Sequence, residues 1–405
     1  MNAHIPRART VKVPPSDPRL TEYLKDYPPS VFSEQLYQSM ELLELYSVDT
    51  AIDLARRLKV LDHLGDWRSI DDLCGLLSFQ PSFKFALRWI LERLVEIDCI
   101  EARSEGGTRL YHLRQTPRQP DLVNLRAASL EIDPANAATL DLLDHAAGLY
   151  PAVANGEQSG DRSLLGPHGM PLWLNYFHND NSTYAVNNWI GATLAAERVS
   201  SCRALRILEV GAGPGSASEI LLRLFHERGI SSRIERYLIT EPNAFFTRCS
   251  QRKLKKQYPE LPLEWTALNL DLPWSDQGVH MGEFDLVYAV NVMHVSNDLL
   301  FSLKQARSAL APHGWLVIGE CLRPYPNQPI YPELMFQILE SFIKVKMDPE
   351  IRPNPGFLTA EQWQLALTRA GFARVEVAPN MDRVREIYPH FFTGAICGQN
   401  VMPNK

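Results

Sequence analysis

The chain has 405 residues, 45% hydrophobic and 22% charged, a mix that fits two or three globular domains and excludes a disordered or fibrous protein. Forty-seven Asp and Glu against 41 Lys and Arg leave a net charge of −6, which argues against a dedicated nucleic-acid binder. Six cysteines stand far apart with no C-x-x-C pair, so no zinc or other metal site and no disulfide scaffold is expected, and a reducing, cytoplasmic compartment is.

The N-terminus has basic residues but no apolar run of the kind a secretory signal needs. No stretch of about eighteen apolar residues occurs, so no membrane partner is expected. Residues 1–31 contain Pro6, Pro14, Pro15, Pro18, Pro28 and Pro29, which predict an extended arm, a free leader rather than a strap on a partner subunit. From Val31 to Leu64 apolar residues recur every three or four positions, the helical period. Ser69 then caps a helix with Asp71 and Asp72 in its first turn, and Pro81 opens a third helix whose Phe83, Leu87, Ile90 and Leu94 share a face. Two strands around Gly106-Gly107 complete a winged-helix-like domain over 32–115. Its third helix sets Lys84, Arg88 and Arg93 against Glu92, Glu96 and Asp98, a neutral surface where a DNA-reading helix would be basic, so a structural or dimerising role is expected. Residues 116–200 read as a connector or lid, with a loop-rich centre followed by Trp173, Tyr176, Phe177, Tyr184 and Trp189.

From Leu205 strand and helix signals alternate, which predicts an α/β, doubly wound sheet. The strand Leu205–Val210 carries Glu209 and runs into Gly211, Gly213 and Gly215, then a helix from Ser216. Glycines belong where backbone passes close to a ligand or takes positive φ, and the following helix end offers unpaired N–H groups. A P-loop would need Gly-Lys-Ser/Thr, and a dinucleotide turn would need its third glycine one residue later. The spacing E-x-G-x-G-x-G is instead similar to motif I of class I S-adenosylmethionine (SAM)-dependent methyltransferases.

That resemblance covers 205–398, within a SAM-binding domain over 201–405, and implies a Rossmann-like sheet with an antiparallel last strand. It implies that the glycines pass beneath the methionine part of SAM, and that Glu241, ending a second strand, accepts from the ribose hydroxyls. It also implies that Asn269 or Asp271 meets the adenine amine; the sequence leaves that choice open. A base for the acceptor is sought at the carboxyl ends of strands four and five. His294 and Glu320 stand there; a histidine titrates near neutrality, and a carboxylate behind it fixes its tautomer and raises its basicity.

Asn291-Val-Met-His294-Val-Ser, with Gly319-Glu320-Cys-Leu-Arg-Pro324, looks like the methyltransferase domains of polyketide synthases, where the matching His and Glu form the catalytic dyad. The segment from Tyr150 to Tyr184 resembles the connector before their motif I. The winged-helix-like start is closer to free-standing small-molecule O-methyltransferases, which implies a homodimer and a discrete enzyme. Expected, then, is methyl transfer to an oxygen of a free or carrier-bound polyketide, with carbon as the alternative acceptor. Asn291 and Tyr184 are expected at the cofactor, with further aromatics and Tyr331 to Val345 shaping the pocket. His178 is a second-choice base, and His313 lies at the wrong end of its strand. A winged-helix regulator and a non-catalytic SAM-binding partner are the competing readings.

Overall fold

The computed structural model describes residues 11–29 and 31–401; the first ten positions of the predicted arm, and Ser30, lie outside them. The chain divides into two units. Ser33–Tyr176 and Asn327–Ile343, with the residues up to Asp17, make the first. Pro18–Phe32, Phe177–Pro326 and Lys344–Lys405 make the second. No helix among the described residues is long and apolar enough to cross a membrane.

In the first unit, Ser33 caps the helix Glu34–Arg57 by accepting from the Leu36 N–H. Ser69 caps the helix Ile70–Leu76 as expected, and with Asp72 it closes a capping box. The third helix opens as a 3-10 turn at Pro81–Phe83 and continues as Lys84–Glu96. Strands β1 (Arg68–Ser69), β2 (Ile100–Glu105) and β3 (Thr108–Leu113) form the wing, in the order β1-β3-β2. The charges of the third helix are engaged within the unit. Arg93 is buried against Glu44 at 2.7 Å, while Glu92 receives Arg109 at 2.6 Å and the Tyr111 hydroxyl at 2.7 Å.

The loop-rich centre, 154–171, consists of turns and bends at 155–159 and 165–169 around one short helix, Gly160–Leu164, and lies between the helices Ala137–Ala154 and Met170–Tyr176. Asn327–Ile343 joins the same unit although it follows the glycine turn by more than a hundred residues. Its carbonyls and side chains meet partners there: Trp89 Nε1 donates to Ile330 O at 3.3 Å and the Tyr150 hydroxyl to Leu334 O at 2.8 Å. Phe336 packs on Trp173 with ring centroids 5.3 Å apart. Within the helical unit, Tyr331, Leu334, Met335 and Phe342 of this segment are core.

The second unit begins with a segment expected to be a free leader. Residues 18–29 instead form a short helix, Arg19–Tyr23, and bury Leu20, Leu24 and Tyr27, with Arg383 over the Tyr23 ring. Prolines shorten helices but do not prevent an apolar segment from packing. Seven strands follow: β4 (Leu205–Val210), β5 (Ile234–Thr240), β6 (Leu263–Thr266), β7 (Phe284–Val290), β8 (Leu310–Cys321), β9 (Ala373–Ala378) and β10 (Thr393–Gln399). Their order is β6-β5-β4-β7-β8-β10-β9, with β4 to β8 parallel and β10 antiparallel to both neighbours. The central strands read as apolar runs because helices cover both faces of such a sheet. The doubly wound Rossmann-like sheet with an antiparallel last strand is therefore present as expected. Its order reverses between β4 and β7, so the carboxyl ends of those two strands open the crevice where α/β sheets bind ligands.

Candidate active site

After β4 the chain turns through Gly211, Gly213 and Gly215, with φ of 65°, 53° and 88°, into the helix Ser216–Glu227. A Cβ on Gly211 would stand 2.3 Å from Val292 Cγ2, so only glycine lets the two loops pass this closely. At Gly213 a Cβ would meet nothing within 4 Å, which is open space beside the turn. A cavity of about 160 Å³ lies there, lined by Gly211, Gly213, Glu241, Asn291, Tyr184 and Phe177, among others. Five of the expected cofactor residues are thus brought to one place. An apolar wall, polar groups at its edge and glycine backbone are a fit for a ligand that is part thioether, part nucleoside.

Glu241, just past β5, accepts from the Gly213 N–H at 2.9 Å and from the Asn243 N–H at 2.8 Å. Burial pushes its carboxyl upward against those two bonds. The helix that follows, Ala244–Gln257, is capped by Asn243, whose side chain accepts from the Phe245 N–H. Tyr184 and Phe177 face each other at 5.3 Å, and burial raises the Tyr184 phenol. The aromatics expected as one lid therefore part: Trp173 and Tyr176 are core of the helical unit, while Phe177 and Tyr184 line this cavity.

Four other members of the expected cofactor set, Glu209, Gly215, Asn269 and Asp271, are outside that lining. Glu209 is buried behind the turn, where it accepts from the Ser218 and Tyr237 hydroxyls, each at 2.6 Å. It braces the strand-to-helix turn rather than lining the cavity. Asn269 accepts from the Asp271 N–H, and Asp271 from the Asn297 N–H at 2.7 Å, so this pair holds the loop beyond β7. Burial pushes the Glu209 carboxyl up to about 7 from 4.5, against the hydroxyls that favour its ionised form. The fold thus keeps a proton there that the unfolded chain has released, so this contribution is full below about 4.5 and lost as pH rises through about 7. Glu209→Gln should accordingly gain melting temperature over the parent as the buffer goes from pH 5 to pH 8; a difference independent of pH would contradict it.

The last part of the site is built by Asn291. It takes φ of 50°, tolerable for Asn, and turns the chain out of the sheet as β7 ends. Its N–H donates to Gly319 O at 2.8 Å, and its side-chain oxygen accepts from the Cys321 N–H at 3.1 Å. Those bonds hold the loop after β7 beside the end of β8. His294, in the turn Met293–Val295, thereby meets Glu320 of β8: Nδ1 lies 2.8 Å from Oε2, and the His294 N–H points at Oε1 at 3.4 Å. Both are enclosed, at 2% and 0% exposure, so solvent does not compete for the contact. Facing a carboxylate, Nδ1 carries the hydrogen and Nε2 the lone pair, which makes Nε2 the basic atom. Of the other histidines, His178 is exposed beside Asp180, and His313 lies within β8 near its amino end, away from Glu320.

Sequence reasoning passed over Ser218 and Tyr237 behind Glu209, Phe246 and Val292 in the cavity wall, and Arg352 beneath His294. Val292 stands inside the Asn291–His294 motif and could have been suspected; the others carry no local signal.

Residues 208–316 match the family described as Methyltransferase domain. The chain is 29% identical over 271 residues to the highly reducing polyketide synthase ALT1 of Alternaria alternata, covering 66% of this chain and 10% of ALT1. It spans about a tenth of the length of the curated relatives it matches. Among solved structures it resembles the CurJ carbon methyltransferase, with a TM-score of 0.75 at 23% identity over 95% of this chain and 97% of that one. It also resembles the trans-methyltransferase CalH in complex with SAH, with a TM-score of 0.61 at 19% identity over 91% and 92% of the two chains. Glycine turn, strand order and matched sequence agree: residues 208–316 are a methyltransferase domain of the class I SAM-dependent kind, and the chain is similar to segments of polyketide synthases.

Proposed function

We propose that the chain methylates the α-carbon of a β-ketoacyl polyketide intermediate, free or held as a thioester on a carrier protein, with His294 as general base. The observation that carries this reading is the enclosed His294–Glu320 contact of 2.8 Å, on the loop whose Asn291 and Val292 line the cavity. Bound SAM supplies an electrophilic sulfonium methyl. The residues of the chain do the rest. Gly211, Gly213 and Gly215 let backbone approach the methionine part, Glu241 receives the ribose hydroxyls, and the Asn269–Asp271 turn meets the adenine amine. Tyr184 and Phe177 close the apolar side. His294 Nε2 takes the proton from the carbon between two carbonyls, and Glu320 steadies the imidazolium that results. No metal is needed, because the charge that develops sits on the substrate's own carbonyls.

The sequence leant towards an oxygen acceptor. Carbon takes precedence because the resembling CurJ structure is a carbon methyltransferase and because the relatives are polyketide synthases. The winged-helix-like unit favours oxygen as the second reading, since it resembles that of small-molecule O-methyltransferases. Incubation with SAM labelled with carbon-13 in its methyl and a β-ketoacyl thioester separates the two. A labelled methyl coupled to the α-proton is the expected product; an O-methyl enol ether would replace carbon by oxygen, and no labelled product would remove both.

A further inference from the structure

Arg352 is 1% exposed, yet among the described residues it forms no ion pair, and its Nε has no hydrogen-bond partner. A guanidinium taken out of water without a carboxylate in contact is costly, so something must hold it there. Its donors run to one short stretch of backbone. Nη2 donates to His294 O at 2.5 Å, while Nη1 donates to Ser296 O at 2.8 Å and Asn297 O at 3.4 Å. Arg352 is itself fixed by a two-way backbone bridge to Asp348, at 2.8 and 3.0 Å.

We infer that Arg352 is a positioning residue: its fork holds the His294–Asn297 turn by three carbonyls and so keeps the imidazole against Glu320. The inference rests on the proposed role of His294 as base. The same turn is gripped from its other sides. Asp271 accepts from Asn297 N–H at 2.7 Å, Lys346 N–H donates to Asn297 O at 2.8 Å, and the Phe357 ring lies 4.4 Å from the imidazole centroid. Asp271 and Phe357 constrain the end and the ring, while Arg352 holds the carbonyl of the base itself. A planar fork reaches three carbonyls with fixed geometry, which a lysine ammonium on a flexible stem does not. Burial pushes the guanidinium down to about 10, and Glu320 is the first of the acids that oppose the change, so cation and dyad share one local field.

The test compares Arg352→Met and Arg352→Lys with the parent, reading kcat, both KM values, S-adenosylhomocysteine affinity and the nitrogen-15 resonances of the His294 ring. The ring signals are assigned by their loss in His294→Asn. The parent should show one tautomer, protonated at Nδ1. In Arg352→Met, kcat should fall by about a hundredfold, the scale of an ångström's displacement of a catalytic group. Both KM values and the S-adenosylhomocysteine affinity should stay within about twofold, and the single-tautomer signature should be lost. Arg352→Lys should recover part of kcat. A parental kcat in Arg352→Met overturns the inference, and so does an equal loss of kcat and cofactor affinity. If Arg352→Met does not fold, a parental kcat in Arg352→Lys overturns it, and a fall with unchanged KM supports it. If the parent transfers no methyl group, the proposed function fails, and the tautomer signature alone then decides the part played by Arg352.

Discussion

Replacing His294 by alanine should lower methyl transfer by about a hundred- to ten-thousandfold while leaving affinity for SAM and S-adenosylhomocysteine close to the parent value. The side chain contributes a proton acceptor, and the cavity that takes the cofactor is lined by other residues. Glu320→Gln should fall by a comparable factor. An amide at 2.8 Å from Nδ1 keeps the shape, but it can neither enforce the tautomer nor balance a forming imidazolium. The double variant should be hardly worse than either single one, because the two groups act as a unit. Single-turnover rates with labelled SAM, set beside calorimetric affinities, measure both sides. A His294→Ala enzyme that keeps parental turnover would remove the dyad from the chemistry, and one that loses cofactor binding as steeply as rate would make it structural.

The glycine turn should respond differently at each position. Gly211→Ala places a methyl 2.3 Å from Val292 in a backbone conformation with φ of 65°, so both the loop packing and the left-handed turn are strained. The backbone component alone is about 1–2 kcal/mol. Val292 lines the cavity, so its displacement should weaken S-adenosylhomocysteine binding by at least about tenfold, together with a drop in melting temperature. Gly213→Asp meets open space in the protein, and its carboxylate would stand beside Glu241, which accepts from the Gly213 N–H at 2.9 Å. It should lose cofactor binding more completely than it loses stability. Unchanged calorimetric binding in both variants would detach this cavity from the cofactor.

The readable part of the site was the part whose chemistry is local. Gly211, Gly213 and Gly215 announce themselves because positive φ and close approach need glycine wherever the rest of the chain lies. His294 and Glu320 could be paired on paper because a parallel sheet brings neighbouring strands' carboxyl ends together, and their strands prove to be neighbours, β7 and β8. Ser69 was legible as a helix cap for the same reason: a cap and the N–H groups it meets lie within one turn.

Other assignments depended on which side of a strand or loop a residue would face. Glu209 and Glu241 both end or nearly end a strand, and both are acids beside the glycine turn. Only the sheet register and the tilt of the following helix send Glu209 behind the turn to Ser218 and Tyr237, and Glu241 to the cavity. The aromatic run 173–184 has one composition but two destinations, since Trp173 finds Phe336 in the helical unit and Phe177 finds Tyr184 and Phe246 in the other. Arg352 sits 58 residues from His294 and has no motif of its own.

Length, charge and cysteine spacing limited the kinds of protein this chain could be, and the glycine turn with its following acids specified the α/β sheet and its cofactor. Those features are determined by the sequence alone because each rests on contacts between residues near in the chain or on a strand order that parallel sheets impose. Tertiary structure decided which carboxylate faces the cavity, where residues 327–343 pack, and what holds the base in place. Such contacts join segments tens to hundreds of residues apart, and burial and hydrogen bonding select them only once the sheet and its loops have come together.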